Sequence, residues 1–374
     1  MVKLNSSYDV IVVGGGPCGL AAALHLAKNG LRVAVIEKGS YHQPRVGEHL
    51  PASAMGVLQG VGISTITGNA TDHLRCSGMV SWWGNDDAPH EWNYFYHPFG
   101  HGLNLSRPQF DRQLADHVRQ QGVVIFDYAK IQQSNRTAAG WIIDISSAEG
   151  HRCLETSFVL DASGKSASFA RMQAGHIDAW DAQIALTRRY QGCAELNPSR
   201  NTHIVIESCE IGWWYFAPLA AGQGICMLIT DPDLIDLKKH SIDDSWRVAV
   251  AKTRAIAPML QSFTAICEPV VCSARSQRLD RFFGDRWLAI GDAAMAFDPL
   301  SSQGITKGLR HGWMAGQAVT RYLAGEAAAI AHFSQDLEAI FSEYVATRTG
   351  YYATEQRWAD SLFWRRRHSA ASER

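Results

Sequence analysis

Along the first forty positions the apolar residues come in two runs separated by a helical pattern. The uninterrupted run Val10 to Val13 in "YDVIVVGGGPCGLAAALHLAKNGLRVAVIEKG" predicts a strand buried on both faces. An alanine-rich helix follows and stops near Gly30, and "RVAVIE" returns as a second strand. "SRPQFDRQLADHVRQQG" reads as a helix capped by Ser106, with Pro108 in its first turn and Gly122 at its end. "QIALTRRYQG", "HIVIESCE" and "GICMLITD" predict strands of a second sheet. "SIDDSWRVAVAKTRAIAP" predicts one helix, capped by Ser241 and halted before Pro258. Near the end, a strand from Trp287 to Ile290 precedes a helix starting near Gly304. A helical apolar pattern runs from Ile330 to Trp364, and the polar tail "WRRRHSAASER" reads as frayed and solvated.

Composition narrows the class. At 374 residues and 46% apolar, the chain suits an interleaved two-domain α/β protein with a sizeable core. A formal net charge of −1 gives no electrostatic reason to expect nucleic acid or an anionic membrane. No apolar run reaches the ~20 residues of a membrane span, and the N-terminus passes straight into a strand without a signal peptide. Eight scattered cysteines without a C-x-x-C pair favour reduced thiols in a cytoplasmic chain. His97 and His101 have a helical metal spacing, but Pro98 and Gly100 between them argue against a helix, so no metal is expected.

The chemistry begins at Gly14-x-Gly16-x-x-Gly19. Gly14 permits the turn, Gly16 lets a pyrophosphate approach the backbone, and Gly19 lets the helix pack on the strand. The helix N-terminus at Pro17 and Cys18 offers unpaired N–H groups to phosphates. Glu37, followed by Lys38, ends the second strand at the distance expected for a ribose-binding acid. Strand, turn, helix, strand and acid in register predict a dinucleotide site.

The stretch "RWLAIGDAAMAFDPLSSQGITKGLRHGWMAGQAV" resembles the second FAD fingerprint of the aromatic-hydroxylase class of flavoproteins. The resemblance implies FAD, with Gly291 and Asp292 at the ribityl chain and Pro299, Gln303, Gly304 and Ile305 at the flavin. There the following helix would point its dipole at the end where reduced flavin carries negative charge. "FVLDASGKSA" resembles the middle motif, with Asp161 and Gly164 in place of a contiguous Asp-Gly. The resemblance also implies that Arg107 reaches the cofactor; on residues alone it reads equally as a surface arginine at a helix start. The fold implied is a Rossmann-like FAD-binding domain of the aromatic-hydroxylase and halogenase type, from residues 1–75, 101–170 and 273–325. An interleaved mixed-sheet substrate domain (76–100 and 171–272) and a C-terminal helical segment (326–374) complete it.

"PRVGEHLP", with Arg45 and Glu48, and "GWWYFAPL" resemble hallmarks of the tryptophan-halogenase branch. The second hallmark is Gly-Trp-x-Trp-x-Ile-Pro, matched by Gly212, Trp213, Tyr215, Ala217 and Pro218. "FYHPFG" resembles the halogenase segment whose histidine and phenylalanine sandwich an indole, which implies that role for His97 and Phe99. Trp82, Trp92 and Tyr94 nearby read as core or strand residues. Two halogenation groups are missing. No lysine occurs from Gly39 to Ala129, where "CSGMVSWW" fills the relevant region, and Ser301 replaces the family's glutamate. Halogenation is therefore not expected.

In the related hydroxylases reduced FAD and O2 form a C4a-hydroperoxide that oxygenates an electron-rich ring. The short chain, "FDPLSSQGI" and the missing pair resemble the flavoproteins that mature quinoprotein amino-acid oxidases. That implies oxygenation of a tryptophan in a precursor quinoprotein oxidase, building cysteine tryptophylquinone. A monooxygenase of a free small aromatic, or a reductase like the geranylgeranyl reductases, stands as the alternative. NAD(P)H or a separate reductase would supply electrons.

Overall fold

The computed structural model describes residues 3–67, 72–84, 88–192, 202–235 and 241–372. Nine α-helices occur among them: α1 (Pro17–Lys28), α2 (Ala54–Val61), α3 (Arg107–Gln120), α4 (Ser168–Met172), α5 (Ile242–Val250), α6 (Ile256–Leu260), α7 (Gly304–Leu323), α8 (Ala329–Ala353) and α9 (Leu362–Ser372). No described helix is long and apolar enough to cross a membrane.

One sheet is built around the first strand. Lys3–Val13 lies between Gly150–Asp161 and Val33–Ile36, all parallel, with Val124–Phe126 outside the latter and Trp287–Ala289 outside the former. Val10, Ile11 and Val12 are fully buried, as an apolar run between two layers must be. Helix α1 packs along α7; a side chain at Gly312 would collide with the Cys18 carbonyl at 2.0 Å, so only glycine permits that approach.

The second sheet is mixed, in the order Phe263–Ala265, Ile184–Gly192, Gln223–Thr230, Gly212–Pro218, Ile204–Cys209, Gly78–Trp82, His90–Asn93. Alternation along Gly212–Pro218 divides its core. Trp213, Tyr215 and Ala217 face a cluster completed by Tyr352, Phe363 and Trp364, while Trp214 and Phe216 face α5 and α6.

Several elements differ from the sequence-based expectation. The 241–258 segment is two helices: Ser241 does cap α5, its Oγ accepting from Asp244 N–H at 3.0 Å, but α5 ends at Val250. Glu207 then accepts the N–H groups of Arg254, Ala255 (2.9 Å) and Ile256 (3.0 Å), which starts α6 with Pro258 inside its first turns. Ser106 opens α3 without a side-chain capping bond. The C-terminal pattern is broken between α8 and α9, and the basic tail is not frayed over Trp364–His368. Phe363 and Trp364 are fully buried, and Arg367 pairs with Asp231 at 2.7 Å inside the protein. Trp92, expected in the core or on a strand, lies on the edge strand but is exposed. Seven cysteines are free thiols, and Cys193 lies outside the described residues.

Candidate functional site

The glycine turn is shaped as a cradle. Gly14 has φ +104°, and a Cβ there would strike the Ala162 carbonyl oxygen at 2.4 Å, so the turn is pressed against the end of the neighbouring strand. Gly16 differs: a Cβ would meet nothing within 4 Å. Its open side faces away from the protein beside the N-terminus of α1, where no side chain caps the free N–H groups. Glu37 is buried and grips the turn, its Oε2 accepting from Gly15 N–H at 2.7 Å and its Oε1 from Gly39 N–H at 2.9 Å. Arg45 reaches the same oxygen at 3.2 Å, while Lys38 next to it is exposed. The Cys18 thiol is pushed up to about 12 by burial and stays protonated.

Two expected cofactor contacts are spent within the chain. Asp161 accepts from Ser163 N–H (3.0 Å) and Oγ (2.6 Å) with one oxygen and from Ala170 N–H (2.8 Å) with the other. It shapes the loop through Gly164, which has φ +69°. Arg107 is buried, pairs with Asp111 at 3.0 Å, and donates to the carbonyls of Val46 (2.6 Å) and Gly47 (3.0 Å). It holds the 44–48 loop, a role sequence reasoning did not assign.

At the other end, Asp292 follows Gly291 (φ +60°) and is half-open. Burial would raise its carboxyl, but the Lys307 ammonium at 2.9 Å and Lys165 beyond it hold it below the usual carboxylate range. Pro299, Ser301, Gln303 and Gly304 are exposed at the start of α7, whereas Ile305 is buried. An open glycine cradle, a buried ribose-type acid, an accessible aspartate and two bare helix N-termini fit an FAD molecule.

The loop before α7 is held by a network the sequence did not reveal. Asp298 is a buried hub. It accepts from Leu300 N–H (2.9 Å), Tyr352 Oη (2.8 Å) and Arg348 Nε (3.2 Å). Phe297 stacks on Tyr344 with centroids 3.9 Å apart, and the Lys307 ammonium stands 3.9 Å from the Phe297 centroid. Trp213 Nε1 donates to Tyr352 Oη at 3.0 Å, tying the substrate sheet to the same hub.

Between cradle and substrate sheet lies a second buried group. Cys76, Tyr215 and Ala217 are buried together, with Tyr94 packed against them. His49 Nδ1 faces Asn104 Oδ1 at 2.9 Å, and Asn104 donates to the Pro218 carbonyl at 2.9 Å. Glu48, expected at the cofactor, is buried here and pairs with Arg189 of the substrate sheet at 3.3 Å.

His97 and Phe99 stand differently from a sandwich. Their rings are 5.9 Å apart and tilted by 36°, and Phe99 N–H donates to His97 Nδ1 at 3.2 Å. A ring held between them would need roughly 7 Å, two stacking distances. Phe99 instead lies over Gly56 of α2, so this pair offers one shared aromatic face, rimmed by exposed Phe95 and Tyr96. A separate cavity of about 510 Å³, lined by Trp82, Ile211, Val248, Arg254 and Trp358, contains none of the expected site residues.

The family model described as "FAD binding domain" matches residues 7–334. The chain is similar to the putative FAD-dependent oxidoreductase LodB of Marinomonas mediterranea, 31% identical over 369 residues and covering 97% of each. Its fold superposes on the myxobacterial chondrochloren halogenase CndH with a TM-score of 0.88, at 21% identity over 99% of this chain and 89% of that one. It also superposes on the peptidyl tryptophan dihydroxylase QhpG, essential for tryptophylquinone cofactor biogenesis, with a TM-score of 0.79, at 22% identity over 97% and 79%.

Proposed function

Because the chain belongs to the FAD-binding-domain family, as an FAD-dependent oxidoreductase related to halogenases and monooxygenases, we propose that it oxygenates the indole of a tryptophan held in a partner protein. The observation that carries this reading is the composition of the buried space between cradle and substrate sheet: Cys76, Tyr215, Ala217 and Glu48, with no lysine on the chain from Gly39 to Ala129 and Ser301 at the exposed start of α7. The segment from Gly39 to Ala129 therefore lacks an amine that could carry an oxidised halide, and Tyr215 and Ala217 are smaller than the residues of the halogenase pattern at their positions. The likeness to QhpG, a peptidyl tryptophan dihydroxylase essential for tryptophylquinone cofactor biogenesis, supports a protein-bound tryptophan.

The residues divide the work. Gly14, Gly16 and the α1 N-terminus would hold the pyrophosphate, Glu37 the adenosine ribose, and Asp292 the ribityl chain. The start of α7, with Lys307 in its first turn, would set positive potential at the flavin's pyrimidine end. Bound FAD supplies the two-electron chemistry and the activation of O2. Trp213, Tyr215 and Ala217 exclude water from the far side, and His97 and Phe99 present an aromatic face for the indole. The test is to incubate the protein with FAD, NAD(P)H or a reductase, O2 and an unmodified candidate precursor. Mass shifts of about +14 or +16 on a tryptophan are expected; an unmodified partner alongside rapid turnover of free tryptophan would replace this reading with the small-aromatic one.

A further inference from the structure

We propose that Glu48 is the acid that delivers a proton to the departing oxygen, which leaves as water in ring oxygenation and as hydrogen peroxide when reduced flavin meets O2 alone, an inference that rests on the monooxygenase reading above. Its place in the fold is the first argument. The loop that carries it is held to the cradle by Arg45 on Glu37 and to α3 by Arg107 on the Val46 and Gly47 carbonyls. Glu48 itself crosses to the other domain, pairing with Arg189 on strand Ile184–Gly192. It therefore stands where the two sheets meet, beside the strand bearing Tyr215.

The second argument is its surroundings. From its own loop, Gly47 N–H donates to Oε2 at 2.9 Å; from α3 comes Arg107, and from the substrate sheet Arg189 and Tyr215. Cys76 and Tyr94 lie behind Tyr215, and His49 is bonded to Asn104. Burial pushes the Cys76 thiol up to about 11 and Tyr215 well above the ordinary phenol, so neither exchanges a proton near neutrality. His49 is pushed down by burial, leaving a neutral imidazole whose Nδ1–H is committed to Asn104. For Glu48, burial wins over Arg189 and Arg107 and raises the carboxyl to about 7. It is the member of this group that can be an acid and a base at the same pH.

The balance requires such a group. A hydride donor supplies two electrons and one proton; with the ring and O2, one further proton gives the hydroxylated ring, water and the oxidised donor. Glu48 supplies that proton, its O–H electron pair remaining on the carboxylate, and regains one from water.

Two measurements test this without any aromatic substrate. Infrared difference spectra of wild type minus Glu48→Gln, with and without FAD, should show a buried protonated carboxyl band that disappears with a midpoint near neutral pH. Arg189→Met should move that midpoint upward, because it removes the cation that favours the carboxylate. Next, FAD-loaded protein is chemically reduced and mixed with O2 while flavin absorbance is followed from about pH 5 to about pH 9. Wild type should slow through the infrared midpoint, Glu48→Asp should keep an inflection, and Glu48→Gln should be pH-independent and about tenfold slower at low pH with unchanged FAD content. A missing carboxyl band, or the same pH profile in Glu48→Gln as in wild type, overturns the assignment. Should Glu48→Gln fail to fold, Glu48→Asp and Arg189→Met decide it by whether the inflection moves. Failure of the tryptophan assay with the inflection intact would sink the indole reading alone.

Discussion

Two glycines of one turn separate binding from folding. A valine at Gly16 has room on the protein side and fills only the open side of the cradle. Gly16→Val should therefore leave the unfolding midpoint of the apoprotein nearly unchanged while abolishing FAD retention on a desalting column. Gly14→Ala should do the opposite and destabilise the fold by about 1–3 kcal/mol, since it combines a left-handed φ of +104° with a carbonyl 2.4 Å away. His311 gives a pH prediction. Burial, helped by Lys307 and Arg310, pushes its imidazole down to about 3 from 6.5. The unfolded chain takes up that proton first, so stability is full above about pH 6.5 and is lost as pH falls toward 3. His311→Leu should flatten this acid-side slope by up to roughly 4 kcal/mol, read from urea midpoints at several pH values.

At the scale of elements, α8 holds the loop before α7 in place, and α9 is fixed to the end of strand Gln223–Thr230. Helix α8 reaches Asp298 through Arg348 and Tyr352, and α9 is anchored by the buried Arg367–Asp231 pair. Tyr352→Phe removes a hydrogen bond to a buried carboxylate and one to Trp213 Nε1. It should cost about 1.5–3 kcal/mol in chemical unfolding and weaken FAD binding, because the loop before α7 loses its restraint. Arg367→Ala leaves Asp231 partly uncompensated and should cost about 3–5 kcal/mol, with Arg366 at 2.8 Å from the same carboxylate softening the loss. An α9 that was merely a solvated tail would show no loss of stability in Arg367→Ala.

For the whole molecule, the question is what two facing domains exclude. With reduced flavin and halide supplied, no halotryptophan should appear above a no-enzyme control in mass spectrometry, since no lysine occurs from Gly39 to Ala129 and Ser301 replaces the glutamate of the halogenase pattern. Phe99→Ala should retain FAD and its reduction rate while diverting turnover toward hydrogen peroxide. A ring displaced by ~1 Å can lose about a hundredfold in transfer rate. Equal oxygenation of partner tryptophan by both proteins would remove Phe99 from the site.

The local chemistry was legible in the linear chain where function needs neighbours in sequence. Gly14 to Gly19, Glu37, Gly291-Asp292 and the start of α7 are each written in one strand–turn–helix unit, because a backbone that must approach a phosphate dictates its own residues. Groups whose partners arrive only on folding were not legible there. Arg107 and Asp161 look like ligands in a motif, yet folding engages Arg107 with Asp111 and the Val46 and Gly47 carbonyls, and Asp161 with Ser163 and the Ala170 N–H. Asp298 looks like a turn residue until α8 arrives from fifty positions away with Arg348 and Tyr352. His97 and Phe99 share a spacing with an indole clamp, but α2 beneath Phe99 decides how the rings stand. Glu48 is one acid among many in the sequence. Only the meeting of two sheets buries it, sets Arg189 against it, and raises its carboxyl to about 7. Sequence specifies what a residue can do; desolvation and the partners brought by tertiary contact decide what it does.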